Sequence, residues 1–244
     1  MITEKLKKKF LRSYFLYPAI LDHCKRCKSE SIPEVNLFQK QIPKIIHYCW
    51  FGRSPDTELK IKCMESWTKY CPDYELRLWN EDSFCMDAYP FARQALEDKK
   101  WAYVSDVARL HSLYYEGGIY MDTDVEVFQP IGRFLEEDFF SGYESKRKIP
   151  TAIMGSKAGN SYLGKLLLWY IGKNYHQGFY DVPNVKIISK FTERFYNVTL
   201  GGEEFSVEDD GDKAHFYPET YFCRPMKGST EAYSKHHFTG SWKE

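Results

Sequence analysis

At 244 residues and 43% hydrophobic, the chain is long enough for one ample core with thirty to forty residues to spare as an extension (about that many, by domain-size scaling). Its formal net charge is zero, which excludes the basic excess of a general nucleic-acid binder. The charge is unevenly spread, because residues 1–30 hold eight Lys/Arg and three Asp/Glu, a net +5, and so leave −5 on the remainder.

In chain order, residues 4–17 are expected to form one amphipathic helix. Leu6, Phe10, Leu11, Tyr14, Phe15 and Tyr17 share a broad apolar arc opposite Lys5, Lys8, Lys9 and Arg12. Such a helix suits either an anionic membrane surface, as a peripheral contact, or docking on protein. The apolar run Tyr14–Ile20 is interrupted by Pro18 and too short to span a bilayer, so a soluble or peripheral protein is expected. Cys24-Lys-Arg-Cys27 has the form of half a zinc site without a second pair. The seven cysteines show no framework spacing, which points to reduced thiols and a cytoplasmic setting, in contact with the inner face of the plasma membrane if the basic helix binds there.

Residues 1–40 are therefore read as a basic helical extension and 41–244 as the main domain. Ile42-Pro-Lys-Ile-Ile-His-Tyr-Cys-Trp-Phe-Gly52 reads as a buried first strand with a glycine stop. Asp56 offers an N-cap for a helix to about Tyr70, Pro72 ends it, and Tyr74–Trp79 alternates as a second strand. Strand, helix, strand in that order implies a mostly parallel sheet with helices on its faces, an α/β fold. Ala102–Glu116 is expected as a helix closed by Gly117-Gly118, and Ile119–Phe128 as one strand. Beyond residue 140 the pattern supports a strand near Phe139–Tyr143, helices near Tyr162–Tyr175 and Lys186–Asn197, and a loop or hairpin over Glu203–Lys213.

Asp122-Thr-Asp124 sets two carboxylates on one face of an extended segment, within reach of one divalent ion, or of an ion and a ribose. The spacing alone is weak, since 14 Asp in 244 positions make about one such pair by accident. A second pair, Asp210-Gly-Asp212, lies in a polar run and reads as a solvated loop. The first emerges from an apolar strand, where unpaired carboxylates cost several kcal/mol. A bound cation is one solution and Arg109 is another.

Tyr103-Val-Ser-Asp-Val-Ala-Arg109, followed by Leu113-Tyr-Tyr-Glu-Gly-Gly-Ile-Tyr-Met-Asp-Thr-Asp124, resembles the sugar-binding region of family-32 glycosyltransferases. These include yeast mannosyltransferases and bacterial capsular and lipopolysaccharide transferases, with the clostridial glucosylating toxins as distant relatives. Residues 42–52 resemble the family's opening strand, and His237-Phe-Thr-Gly-Ser-Trp242 its closing motif. The resemblance implies a GT-A-type fold around a central mixed sheet, Mn²⁺ or Mg²⁺, and a nucleoside-diphosphate sugar donor, a UDP-sugar in preference to GDP-mannose. It implies that Trp50 stacks on the nucleobase, or else packs in the core. Ser105, Asp106, Arg109 and Tyr120 reach the ribose or sugar, with Asp106–Arg109 as a plain helix ion pair in the alternative. Asp124 ligates the metal, and Asp122 contacts the donor or the metal. His237 is the third ligand, with His236 as its rival, while Ser241 and Trp242 touch the diphosphate. Arg109, Asp122 and Asp124 would carry catalysis. Retention of anomeric configuration is expected, and Glu144 is a further acid of interest. The acceptor is expected to be a glycan or lipid-linked oligosaccharide of surface polysaccharide synthesis. A nucleotide-sugar phosphohydrolase and a non-catalytic sugar-binding module are the rival classes.

Overall fold

The computed structural model describes residues 40–170, 173–175 and 183–240. The helix expected over residues 4–17, the Cys24/Cys27 pair, Ser241 and Trp242 lie outside the described residues. Within them, a seven-stranded mixed sheet is ordered β2-β1-β3-β6-β5-β8-β7. Its strands are β1 (Ile45–Cys49), β2 (Glu75–Trp79), β3 (Gly118–Met121), β5 (Phe139–Gly142), β6 (Ile153–Ser156), β7 (Phe205–Asp209) and β8 (Asp212–Tyr217). β4 (Val125–Val127) and β9 (Ser234–His236) form a separate two-stranded antiparallel ribbon. In the large sheet β1, β2, β3, β5 and β8 run one way, and β6 and β7 run against them. The fold is thus α/β with a mostly parallel central sheet, as expected.

Helix α1 (Glu58–Tyr70) follows β1 and lies on one face of the sheet. Its N-cap is Thr57, whose side chain accepts from the Lys60 amide at 3.1 Å, rather than Asp56, which pairs with the Lys60 ammonium instead. Trp67 is fully buried and donates its indole N–H to the Val125 carbonyl at 2.7 Å, so α1 holds the ribbon in place. On the opposite face lie α2 (Pro90–Glu97), α3 (Trp101–Glu116), α4 (Ser161–Tyr170) and α5 (Asn184–Tyr196). α3 is the central helix, and ten of its sixteen residues are buried. A last short helix, α6 (Glu219–Phe222), packs against β9 and β5 and shares the apolar cluster that α1 covers.

Two glycines set the passage from α3 into β3. Gly118 has φ +115, and a Cβ there would lie 2.8 Å from the Ile45 carbonyl oxygen and 2.9 Å from His47 Nε2. Only glycine admits both that backbone and that approach of β3 to β1. Beneath it, His47 is buried between the Gly117 carbonyl (2.7 Å from Nε2) and the Trp79 indole, which donates to Nδ1 at 3.0 Å.

The expected single strand Ile119–Phe128 is divided. A turn at Asp122–Val125, closed by Val125 N–H donating to the Asp122 carbonyl at 2.9 Å, separates β3 from β4. Aspartate favours the first position of such turns. The Glu203–Lys213 run is a hairpin, with Asp210 (φ 50) and Gly211 (φ 87) at its tip. Its second acidic pair is occupied by lysines: Asp212 meets Lys157 at 2.7 Å and Asp210 meets Lys165 at 3.2 Å.

Candidate functional site

Because β1, β3 and β5 are codirectional, the residues after their last positions share one edge of the sheet. Trp50 follows β1, Asp122 follows β3, and Glu144 lies just beyond β5. Ligands of open α/β sheets gather at that edge. The β4–β9 ribbon lies against it and brings the C-terminal segment to Asp124.

Arg109 is the hub. It projects from α3, is almost fully buried, and donates from Nη1 to the Thr151 carbonyl (2.8 Å) and hydroxyl (2.9 Å) and from Nε to the Ser105 carbonyl (3.2 Å). Its guanidinium also lies 3.2 Å from Asp106 and 3.2 Å from Asp122, and stacks 4.6 Å from the Tyr120 ring centroid. Asp106 and Arg109 are one helical turn apart, so α3 presents them on one face. Tyr120 donates its hydroxyl to Asp122 at 2.8 Å, which completes a closed network of Asp106, Arg109, Tyr120 and Asp122. Burial pushes the Asp106 carboxyl up to about 6, the Asp122 charge adds to that, and Arg109 pulls it back. Burial disfavours the Arg109 cation, but Asp122, Tyr120 and Asp106 outweigh it, so Arg109 stays firmly charged.

Asp124 is held differently. His236 Nε2 lies 3.2 Å from one of its oxygens, and the Thr239 amide (3.0 Å) and hydroxyl (2.8 Å) donate to the other. Burial pushes this carboxyl up, but the bonds from His236 and Thr239 prevail and lower it to about 2. Asp122, Asp124 and His236 place ligand atoms within 4.8 Å of one another. His236 Nδ1 is buried without a partner. Two carboxylates and an imidazole converging from a turn and a strand form an oxygen-and-nitrogen donor set that fits Mn²⁺ or Mg²⁺.

His237, expected as the third ligand, is directed elsewhere. Its Nε2 lies 2.9 Å from Glu126, which also meets Lys62 at 3.0 Å. In the ribbon Val125 pairs with His236 and Glu126 with Lys235, so alternation puts His237 on the Glu126 side, while Asp124, which lies in the turn before β4 and outside the strand pattern, is met by His236. Trp50 lies half-buried at the end of β1, with its indole N–H donated to the Ser54 carbonyl at 2.8 Å. Ser105 meets the network through its backbone carbonyl, and its hydroxyl donates to Trp101 O at 3.1 Å. Glu144 is joined to this end of the sheet by Arg224, which donates to its carbonyl at 2.8 Å and stacks over Phe238. Three residues at the site went unmarked in the sequence. Thr151 anchors Arg109 from the segment before β6, Asn184 is buried beside Asp106 at the start of α5, and Thr239 bonds Asp124. Of these only Thr239 lies inside a quoted motif. Thr151 and Asn184 reach the site by tertiary packing alone.

Residues 57–141 match the family model described as the glycosyltransferase sugar-binding region containing a DXD motif. Over that stretch, about a third of the chain, the sequence is similar to this family's sugar-binding region. Arg109, Asp106, Tyr120, Asp122 and Asp124 all fall inside it. Among curated proteins, the chain is 32% identical to the toxin Afp18 of Yersinia ruckeri over 121 residues, 47% of this chain and 6% of the toxin. It is 30% identical to inositol phosphoceramide mannosyltransferase 3 of Schizosaccharomyces pombe over 141 residues, 55% of this chain and 39% of that protein. The match thus spans well under half of either relative. Among solved structures, the PaToxG glycosyltransferase aligns with a TM-score of 0.54 at 18% identity, covering 77% of this chain and 80% of that one. That likeness shows the shared GT-A-type fold.

Proposed function

We propose that the protein transfers a hexose-type sugar from a nucleoside-diphosphate donor, a UDP-sugar in preference to GDP-mannose, to a glycan or lipid-linked oligosaccharide in surface polysaccharide synthesis. The observation that carries this reading is the meeting of the Arg109 network with the Asp122–Asp124–His236 cluster at the ligand-binding edge of the sheet. Asp122, Asp124 and His236 would hold the divalent ion, Mn²⁺ or Mg²⁺. When bound, the ion supplies Lewis-acid neutralisation of the charge that develops on the leaving diphosphate. Arg109, braced by Thr151 and Ser105, holds Asp106 and Asp122 in fixed positions toward the sugar hydroxyls, so part of the barrier is met by orientation. Trp50 offers its indole to the nucleobase, and the Thr239 segment closes over Asp124 to exclude water. Retention of configuration accords with the family resemblance.

Thermal unfolding with UDP, GDP and their sugar conjugates, with and without Mn²⁺, tests the donor reading. A ligand at a hundredfold its dissociation constant adds about 2.7 kcal/mol, a shift of several degrees. A Mn²⁺-dependent shift with one nucleotide, lost in Asp124→Asn, is expected. Turnover that rises with added lipid-linked glycan separates transfer from donor hydrolysis. No shift with any nucleotide would overturn the donor reading.

A further inference from the structure

Lys60 is a charged residue with no place in the sugar or metal network, yet its side chain is only 6% exposed. It rises from the first turn of α1, and its ammonium lies 2.5 Å from Asp56 and 4.1 Å from the centroid of the Trp50 ring, with the Tyr48 ring at 5.9 Å. A surface i,i+4 ion pair needs no burial and contributes little. Here the ammonium is withdrawn from water, which costs free energy unless its new surroundings compensate. An indole face is the aromatic surface that attracts a cation most strongly.

The consequence falls on Trp50. Its backbone N–H bonds the Trp79 carbonyl at 3.0 Å, its indole N–H bonds the Ser54 carbonyl at 2.8 Å, and one ring face lies under the Lys60 ammonium. Three contacts in three directions set both the position and the tilt of the ring. The face under Lys60 is closed to any flat ligand, so a stacked base has the opposite face. A ring already set in place spares the ligand the cost of ordering it.

We propose that Lys60 is a positioning residue for the donor nucleobase, which holds the Trp50 indole in its stacking orientation and fixes the face that the base uses. This rests on the reading that Trp50 stacks on the base of a nucleoside-diphosphate sugar. The ammonium itself touches neither sugar nor phosphate, so its effect is confined to the base end of the donor.

The test measures dissociation constants of UDP, GDP and inorganic pyrophosphate in the presence of Mn²⁺, by calorimetry, for the full chain and its variants. Lys60→Met, which keeps the bulk of the stem, is expected to weaken the preferred nucleotide about fivefold, the scale of one cation–π contact. Pyrophosphate, which has no base, is expected to bind as in the wild type. With donor as variable substrate, KM rises and kcat holds, and Lys60→Arg restores most of the affinity. In a Trp50→Leu background the Lys60→Met change is expected to have no further effect. If Lys60→Met does not fold, Lys60→Gln, which can still bond Asp56, is measured in the same way. Equal weakening of nucleotide and pyrophosphate, or an unchanged nucleotide affinity where Trp50→Leu lowers it, overturns the proposal. Wild-type protein that binds neither nucleotide overturns the donor reading itself.

Discussion

Replacing Arg109 by Met tests whether the network is an electrostatic unit or a set of independent contacts. Met fills much of the same space but leaves Asp106 and Asp122 without their cation, and frees the Thr151 carbonyl and hydroxyl and the Ser105 carbonyl. Breaking a buried ion pair from one side costs about 3–5 kcal/mol. In a domain of this size that lowers the melting temperature by about 6–20 °C. The cost must depend on pH, because Asp106 can escape by taking a proton. Its carboxyl already lies at about 6 against an ordinary 3.8 with Arg109 in place, since burial lifts it. With Arg109 in place, protonating it costs about 1.4 kcal/mol for each pH unit above that folded value. At pH 8 its share of the loss is therefore capped at about 3 kcal/mol, whereas at pH 5 Asp106 is already largely protonated in the wild type and adds almost nothing to the gap. Urea unfolding followed by fluorescence of the six tryptophans, for both proteins at pH 8 and pH 5, reads the gap directly. A gap that stays constant with pH, or one under about 1 kcal/mol at pH 8, would refute the account of Asp106 as a carboxylate held charged by Arg109.

Three other outcomes follow from the geometry. His236→Ala is expected to weaken Mn²⁺ binding by more than about tenfold while His237→Ala changes it less, as read by calorimetry; the reverse order would return the ligand role to His237. Gly118→Ala places a Cβ 2.8 Å from a carbonyl oxygen at φ +115, and a loss of at least about 2 kcal/mol in urea unfolding is expected. Burial lowers His47 from 6.5 to about 4 and His111 from 6.5 to about 3. Below pH 6.5 the unfolded chain takes up protons that the folded chain refuses, so this stability is complete above 6.5 and lost as pH falls toward 4. At pH 5 the loss is about 2 kcal/mol per histidine, partly offset by Asp106, whose raised carboxyl acts with the opposite sign. A urea midpoint that does not fall between pH 7.5 and pH 5, or that keeps its full slope in His47→Gln, contradicts this assignment.

The elements that the sequence made legible are those whose local chemistry and tertiary setting agree. α1 with its polar N-cap region and Pro72, α3 with its glycine exit, and β1 as an apolar run all appear within a few residues of expectation. β6 was not legible, because Ile153–Ser156 is four residues long and buried on both faces, so it carries neither alternation nor length. α2 was missed although Pro90 marks its first turn, since eight residues make too short a window for helical period. The single strand drawn through Asp122 failed for another reason. Apolar residues on both sides of the acids continue the strand pattern, and only the Asp122–Val125 turn bond shows that the strand is interrupted there. The two carboxylates approach one another by that turn rather than by strand alternation.

The site shows the same limit at finer scale. Asp106, Arg109, Tyr120 and Asp122 were singled out by the family resemblance, and the regular helix α3 lets spacing alone put Asp106 and Arg109 on one face. The tail residues have no such aid, because β9 is three residues long and its register rests on pairing with β4. A one-residue slip in such a strand exchanges the two faces, and in His236-His237 both faces carry an imidazole, so the sequence looks the same in either register. What decides between them is the opposite strand. Val125 is buried and Glu126 is not, so the ribbon must turn its Glu126 face outward, and the histidine that shares that face bonds Glu126 instead of Asp124. The placing of His237 beside Glu126 is therefore set by the burial of Val125, a residue with no chemistry of its own. A substitution that reverses the burial of Val125 and Glu126 would be expected to exchange the two histidines.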